Sequence, residues 1–342
     1  MKDLITFKEC LGITEGENRH VLLGNGFSRA CKNNIFSYNS LFDSADFIGA
    51  SPEIKNAFKL LETTDFEFVM NSLKNSSILT LLYDPSNISL IDKLQNDTNK
   101  LREILVKTLT TYHPEDPSNI SDLEYNNCLK FLSYFKKIYS LNYDLLLYWT
   151  FMKEPGLKRD DGFRDSYSGR PQDYVEEEFV VWENKTHNQN IHYLHGALHL
   201  FYSGPDLQKY CWERTGVKLI DQIDSSLRRN KYPLIVAEGS SRQKLEKIRR
   251  SDYLGHNFRS LGLITGNLFL YGHSLAENDR HILEQISENK KLKRIFISIY
   301  GDPNDPSKKE IIARGENLRY HRGEDTKKEI YFYKAETAKV WR

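Results

Sequence analysis

The sequence predicts an α/β protein: a doubly wound parallel sheet with an inserted helical module. Three observations lead there. The last third of the chain alternates short apolar runs with helical stretches, the pattern of βαβ units. An apolar strand at residues 20–24 stops abruptly at Gly24-Asn25-Gly26, as buried parallel strands do where the chain turns into a helix. Between residues 52 and 135 the apolar positions recur every three or four residues, which is helical spacing.

The elements follow in order. After the first strand (HVLLG) a helix begins near Ser28. Within the helical block, FEFVMNSL at 66–73 and the run at 90–109 carry the apolar stripe. Ser86 or Asn87 can cap the longer helix by accepting from its first N–H groups, and the His113-Pro114 and Asp116-Pro117 pairs end it. Residues 137–141 (KIYSL) form a second strand that runs into Asn142-Tyr143-Asp144, with the buried helix LLLYWTFM behind it. Gly, Pro, Asp and Arg crowd residues 153–178, the composition of a long surface loop or lid. Strands are expected at 179 (FVVWE), 191 (IHYL), 198 (LHLFY) and 233 (PLIVAEG), with helical spacing over 207–229 and a helix start in GSSRQKLEKIRR. The chain then alternates strand, helix, strand, helix and strand from 267, 277, 294, 308 and 329. The expected organisation is one domain over 1–342. Its core comes from about 1–50, 136–205 and 230–342, with a helical insertion over about 51–135 and a lid over about 153–190.

Composition narrows the function classes. The 48 Lys and Arg nearly cancel the 47 Asp and Glu, so no general field steers the chain onto nucleic acid or an anionic membrane. Four cysteines lie far apart without a CxxC pair, which leaves neither a zinc ribbon nor a disulfide framework. The N-terminal residues lack the apolar core of a signal peptide, and no apolar stretch is long enough to span a bilayer, so the expected compartment is the cytoplasm.

Ligands of open α/β sheets bind beyond the carboxyl ends of the strands, so the strand ends carry the candidate chemistry. At Gly24-Asn25-Gly26-Phe27-Ser28 two glycines let the backbone approach a pyrophosphate, and the helix start with the Ser28 hydroxyl can donate to it. Asn142 and Asp144 end the second strand, as a capping pair or as site residues. His195, followed by Gly196, suits a general base at a cleft. Gly272-His273-Ser274, with Asn278 and Asp279 beyond, forms another glycine turn with a hydroxyl. A rival arrangement gathers His192, His195 and His199 around a metal, but on a strand His192 and His195 point to opposite faces, so no metal is expected.

Taken in order, G-N-G-F-S, L-N-Y-D, L-H-G and Y-G-H-S-L…N-D resemble the sirtuin superfamily, in its bacterial sirtuin-like, NAD-consuming, antiphage-defence branch. The resemblance implies a Rossmann-like fold with a smaller helical module. It implies that Gly24, Asn25, Gly26, Phe27 and Ser28 hold the pyrophosphate, that Asn142 orients a water or the ribose with Asp144 supporting that strand end, and that His195 is the catalytic histidine. Gly272, Ser274, Asn278 and Asp279 complete the dinucleotide site in the same reading. The chain departs from the deacetylases at Asn25, Leu141 and His273 and lacks their zinc-binding cysteine quartet, which weighs against acyl-lysine peptide binding. The implied activity is NAD glycohydrolysis, releasing nicotinamide and ADP-ribose, in a homo-oligomer or beside a separate regulatory or ATPase partner, with no membrane or nucleic-acid partner. The alternatives are an NAD-dependent deacylase or ADP-ribosyltransferase, and a non-enzymatic NAD- or ADP-ribose-binding subunit.

Overall fold

The computed structural model describes residues 4–36, 38–154, 159–164, 179–183, 188–211, 217–229, 231–237, 239–319 and 328–342. The chain opens with α1 (Phe7–Ile13), β1 (Arg19–Leu23), α2 (Asn25–Phe36) and α3 (Tyr38–Ser44). The helical block follows as α4 (Pro52–Leu60), α5 (Phe66–Tyr83), α6 (Ile88–Tyr112) and α7 (Asp122–Ser133). Then come β2 (Lys137–Ser140), α8 (Leu146–Met152), β3 (Phe163–Arg164), β4 (Phe179–Trp182), β5 (Ile191–Tyr193), β6 (Leu200–Ser203) and β7 (Asp206–Tyr210). The remainder is α9 (Leu219–Arg228), α10 (Ser241–Arg250), α11 (Asp252–Gly262), β8 (Gly266–Tyr271), α12 (Arg280–Ser287), β9 (Leu292–Ile299), α13 (Pro306–Asn317) and β10 (Glu329–Lys334).

Six strands pair in parallel in the order β10-β9-β8-β1-β2-β5. Counted along the chain and read from β5, that order is 3-2-1-4-5-6, the arrangement of doubly wound dinucleotide-binding sheets. The fold is therefore the expected α/β one. Its strands are short apolar runs because both faces are covered. On one face Phe7 and Phe135 pack edge-on against Phe269, and Phe131 of α7 packs on Tyr271. On the other, Tyr139 bonds Ser260 of α11, and Gly315 of α13 fits closely against Ile297 and Phe332. Phe42, Phe47, Phe58 and Phe66 form a separate aromatic cluster that holds α3, α4 and α5 together.

Several expectations change. Residues 206–210 form a strand rather than helix: only Leu207 and Lys209 are buried, an alternation over a polar stretch too short to carry a helical stripe. Residues 233–237 form no strand among the described residues. Their bonds go to the turn after β5 instead, at His195 O, Ala197 N and Leu200 O, leaving only a bridge between Gly196 and Ile235. Part of the expected lid is regular: β3 and β4 join β6 and β7 in a second, antiparallel sheet. Residues 155–158, 165–178 and 184–187 of that segment, with the acidic run 176–178, lie outside the described residues. Helix α1 was not anticipated; Thr6 and Glu9 cap it reciprocally. No helix among the described residues is long and apolar enough to cross a membrane.

Candidate functional site

The strand order reverses between β1 and β8, and the residues that follow these strands line a cavity of about 630 Å³. That volume lies within the range of small-molecule and cofactor sites. The turns after β2, β5 and β9 open onto it as well, while Asp65, Phe66 and Glu67 at the start of α5 and Lys339 to Arg342 supply walls from outside the sheet.

The floor is made of main chain. Gly24 N donates to Tyr271 O at 2.9 Å and Gly26 N to Gly272 O at 2.8 Å. A Cβ at Gly26 would stand 2.5 Å from the Gly272 Cα, so glycine here serves the contact between two turns as well as any ligand. The second turn is strained: Leu275 holds a φ of +54° although it is a buried leucine, and such conformations cluster at functional sites.

The expected residues divide into those that face the cavity and those that support it. Gly24, Asn25, Gly26, Asn142, Asp144, His195, Gly272, Ser274, Asn278 and Asp279 all line it. Phe27 and Ser28 are not among the lining residues, and their side chains are engaged in the core. Phe27 is packed on Trp341, whose indole N–H donates to the Phe27 carbonyl. Ser28 is fully buried, donating to Asp144 Oδ2 and accepting from Asn142 Nδ2. Asn142 also donates to Gly24 O at 3.1 Å, so both its amide hydrogens are engaged and Oδ1 is the atom left for a ligand. Asp144 Oδ1 accepts from Leu146 N, the first residue of α8.

A buried charged cluster adjoins the floor through His273. The Lys244 side chain is 0% exposed, with Nζ 2.5 Å from Glu67 Oε2 and 3.3 Å from Asp279 Oδ1. Asp279 Oδ2 accepts from His273 Nε2, whose Nδ1 in turn accepts Leu275 N–H, which fixes His273 as the Nε2-protonated tautomer. Burial works to raise the Asp279 carboxyl, but Lys244 and the His273 bond outweigh it and hold the group well below its ordinary range. Burial raises Glu67 to about 7, with Asp279 and Asp65 adding to the rise against the pull of Lys244. His195 lies in the same corner, its Nε2 4.0 Å from Asp279 Oδ1, and burial keeps it neutral, well below the ordinary histidine value. Glu67 and Lys244 carry no local motif and were not singled out from the sequence.

The three histidines of the metal arrangement have separate surroundings. His192 bonds Asn257 and stacks on Tyr139, His195 bonds His281, and His199 packs against Tyr148 and Tyr193. Among the described residues no group of three or more His, Cys, Asp or Glu is placed to share a metal ion.

Sheet order and cavity together define a doubly wound α/β protein with a crevice at its switch point. Residues 21–341 match the family described as Domain of unknown function (DUF4917), and the chain belongs to that family. No curated protein matches the sequence.

Proposed function

We propose that the protein is a sirtuin-like NAD glycohydrolase, cleaving NAD to nicotinamide and ADP-ribose. The observation that carries the reading is the convergence of the Gly24 to Gly26 turn, Asn142 and His195 in one cavity at the switch point of a 3-2-1-4-5-6 sheet. The start of α2 and Arg29, also on the cavity wall, suit a pyrophosphate. Breaking the nicotinamide–ribose bond passes through an oxocarbenium-like centre, which the Asp279 carboxylate, held ionised, can stabilise. Asn142 Oδ1 positions the water or ribose, and neutral His195 accepts the proton of the water. Nicotinamide leaves as a neutral base, so the step needs no strong acid and no metal.

The decisive experiment incubates the full chain with NAD, alone and with the products of neighbouring genes, and follows nicotinamide release. His195→Ala and Asn142→Ala should each lower the rate ~10²–10⁴-fold in a folded protein, and EDTA should leave it unchanged. Wild-type turnover in either variant overturns the site assignment. Acyl-ADP-ribose or a labelled protein among the products would favour the deacylase or transferase reading, and NAD binding without turnover the non-enzymatic one.

Free NAD hydrolysis would drain the cell that makes the enzyme, so the same proposal places it in the cytoplasm as a restrained effector of antiphage defence, controlled by self-association or a partner. The exposed tip of the α5–α6 hairpin supports self-association: Ile78, Leu79, Leu81, Leu82, Tyr83 and Ile88 are each at least half exposed there. Light scattering on the same preparation that yields only monomer removes that part.

A further inference from the structure

Behind His195 stands a second imidazole that does not line the cavity. His195 Nε2 lies 3.2 Å from His281 Nε2, and the two rings are 24° from parallel. On its other side His281 Nδ1 lies 3.0 Å from Ser241 Oγ, which also accepts the His281 backbone N–H at 2.7 Å. Both histidines are 2% exposed, whereas Ser241, in the first turn of α10, is half-buried. A continuous line of polar atoms therefore runs from the cavity wall through the core toward solvent.

Two facing Nε2 atoms bond only if one carries a hydrogen and the other does not, so the state of each ring fixes that of its neighbour. With the hydrogen on His195 Nε2, the His195 Nδ1 is bare and can take a proton from the cavity. With the hydrogen on His281, the His195 Nδ1 is protonated and can only donate. The other charged or titratable groups around His195 are Asp279, Lys244 and His273. The Asp279 carboxylate, on the Nε2 side, favours the first state. Burial disfavours an imidazolium at either ring, and holds His281 at about 4. A solitary His195 would thus be a poor resting place for a proton.

We infer that His195, His281 and Ser241 form a proton relay, with His281 as the positioning residue that sets the tautomer of His195. The identity of the proton donor rests on the NAD-hydrolase reading. In that reaction the water oxygen bonds to the anomeric carbon as the bond to nicotinamide breaks, its electron pair leaving on neutral nicotinamide. The water proton passes to His195 Nδ1, the Nε2 proton of His195 to His281 Nε2, the Nδ1 proton of His281 to Ser241 Oγ, and the original hydroxyl proton of Ser241 to solvent. Both rings end neutral in the opposite tautomer, and one proton is released per NAD hydrolysed, as the overall reaction requires. After product release the hops run back, the His195 Nδ1 proton passing to solvent that enters the cavity.

The test records ring-nitrogen NMR spectra of the ¹⁵N-histidine-labelled full chain as wild type, His281→Gln and Ser241→Ala, and measures NAD cleavage by the same samples. The relay requires both wild-type rings neutral near neutral pH, one with Nε2 protonated and the other bare. His281→Gln keeps a hydrogen-bonding amide whose oxygen can accept from His195 Nε2 but cannot pass a proton; it should lower kcat ~10²-fold or more with KM retained. Ser241→Ala removes the outlet of the relay and should lower kcat with KM retained, while the His281 tautomer, set by His195, stays as it is. Both Nε2 atoms in the same state, or wild-type kcat in His281→Gln, overturns the relay. Should His281→Gln fail to fold, its collapsed spectrum shows it, and wild-type kcat in Ser241→Ala is then the overturning result. If the wild type releases no nicotinamide, the hydrolase reading falls, while the spectra still decide whether the proton is shared.

Discussion

At the floor of the cavity Gly24, Gly26 and Gly272 meet through main-chain atoms; in the charged cluster Lys244, Glu67 and Asp279 meet through side chains. The floor is a steric device with no room for a Cβ and no charge to lose. The cluster is an electrostatic one, in which three ionised or ionisable groups are taken out of water and hold only while each has its partner. One half of the site should therefore fail by added volume, the other by removed charge.

The largest effect expected is from Lys244→Ala, which leaves Glu67 and Asp279 facing each other without a cation; breaking a buried pair in this way costs about 3–5 kcal/mol. Denaturant unfolding checks it, and a loss below about 1 kcal/mol would mean that water already screens the cluster. Next is Gly26→Ala, whose Cβ must push the Gly272 turn away, at about 1–3 kcal/mol as for other overpacked sites. Its control is Gly12→Ala within α1, where a Cβ meets nothing within 4 Å; that change should stabilise by roughly 0.5–1 kcal/mol. Equal effects in the two glycine variants would show that the floor is not sterically closed.

The smallest effect is a change in the shape of a curve. Glu67 titrates near its ordinary 4.5 when unfolded and at about 7 when folded. Between those values the folded chain binds the extra proton, so this group's contribution to stability falls as pH rises through the window. The buried histidines have the opposite sign. His113 and His281 at about 4 and His192 at about 3 bind protons only after unfolding, so stability drops as pH falls from 6.5 toward those values. The difference between wild-type and Glu67→Gln melting temperatures should therefore decline from about pH 4.5 to 7, with the acid-side loss kept in both. A pH-independent difference would remove Glu67 from the coupled cluster.

The two halves were also unequally legible. The floor is written in consecutive letters: an apolar run, then Gly-Asn-Gly, and later NLFLYG before His273. A backbone turn needs its glycines next to one another, so spacing reveals it. The charged cluster draws Glu67 from the helical block, Lys244 from α10 and Asp279 from the turn after β8, and His281 stands behind it. No periodicity links these positions, and only the packing of α5 against the core brings them together. The same distinction explains the strands. Those of the main sheet are buried on both faces and read as apolar runs, whereas β7, with one wet face and the sequence DLQKY, does not.

The contact between the turns after β1 and β8 has a kinematic consequence. Strand ends that are hydrogen-bonded to one another at 2.8 and 2.9 Å and packed glycine against glycine cannot splay. The crevice at the switch point is thus hinged nowhere along its base, and the sheet moves beneath a ligand as one body. Residues 65–67 and 339–342 wall the cavity without belonging to either of these turns. Opening of the cavity is thus left to those two wall segments, and amide hydrogen exchange should be faster there than in the strand ends.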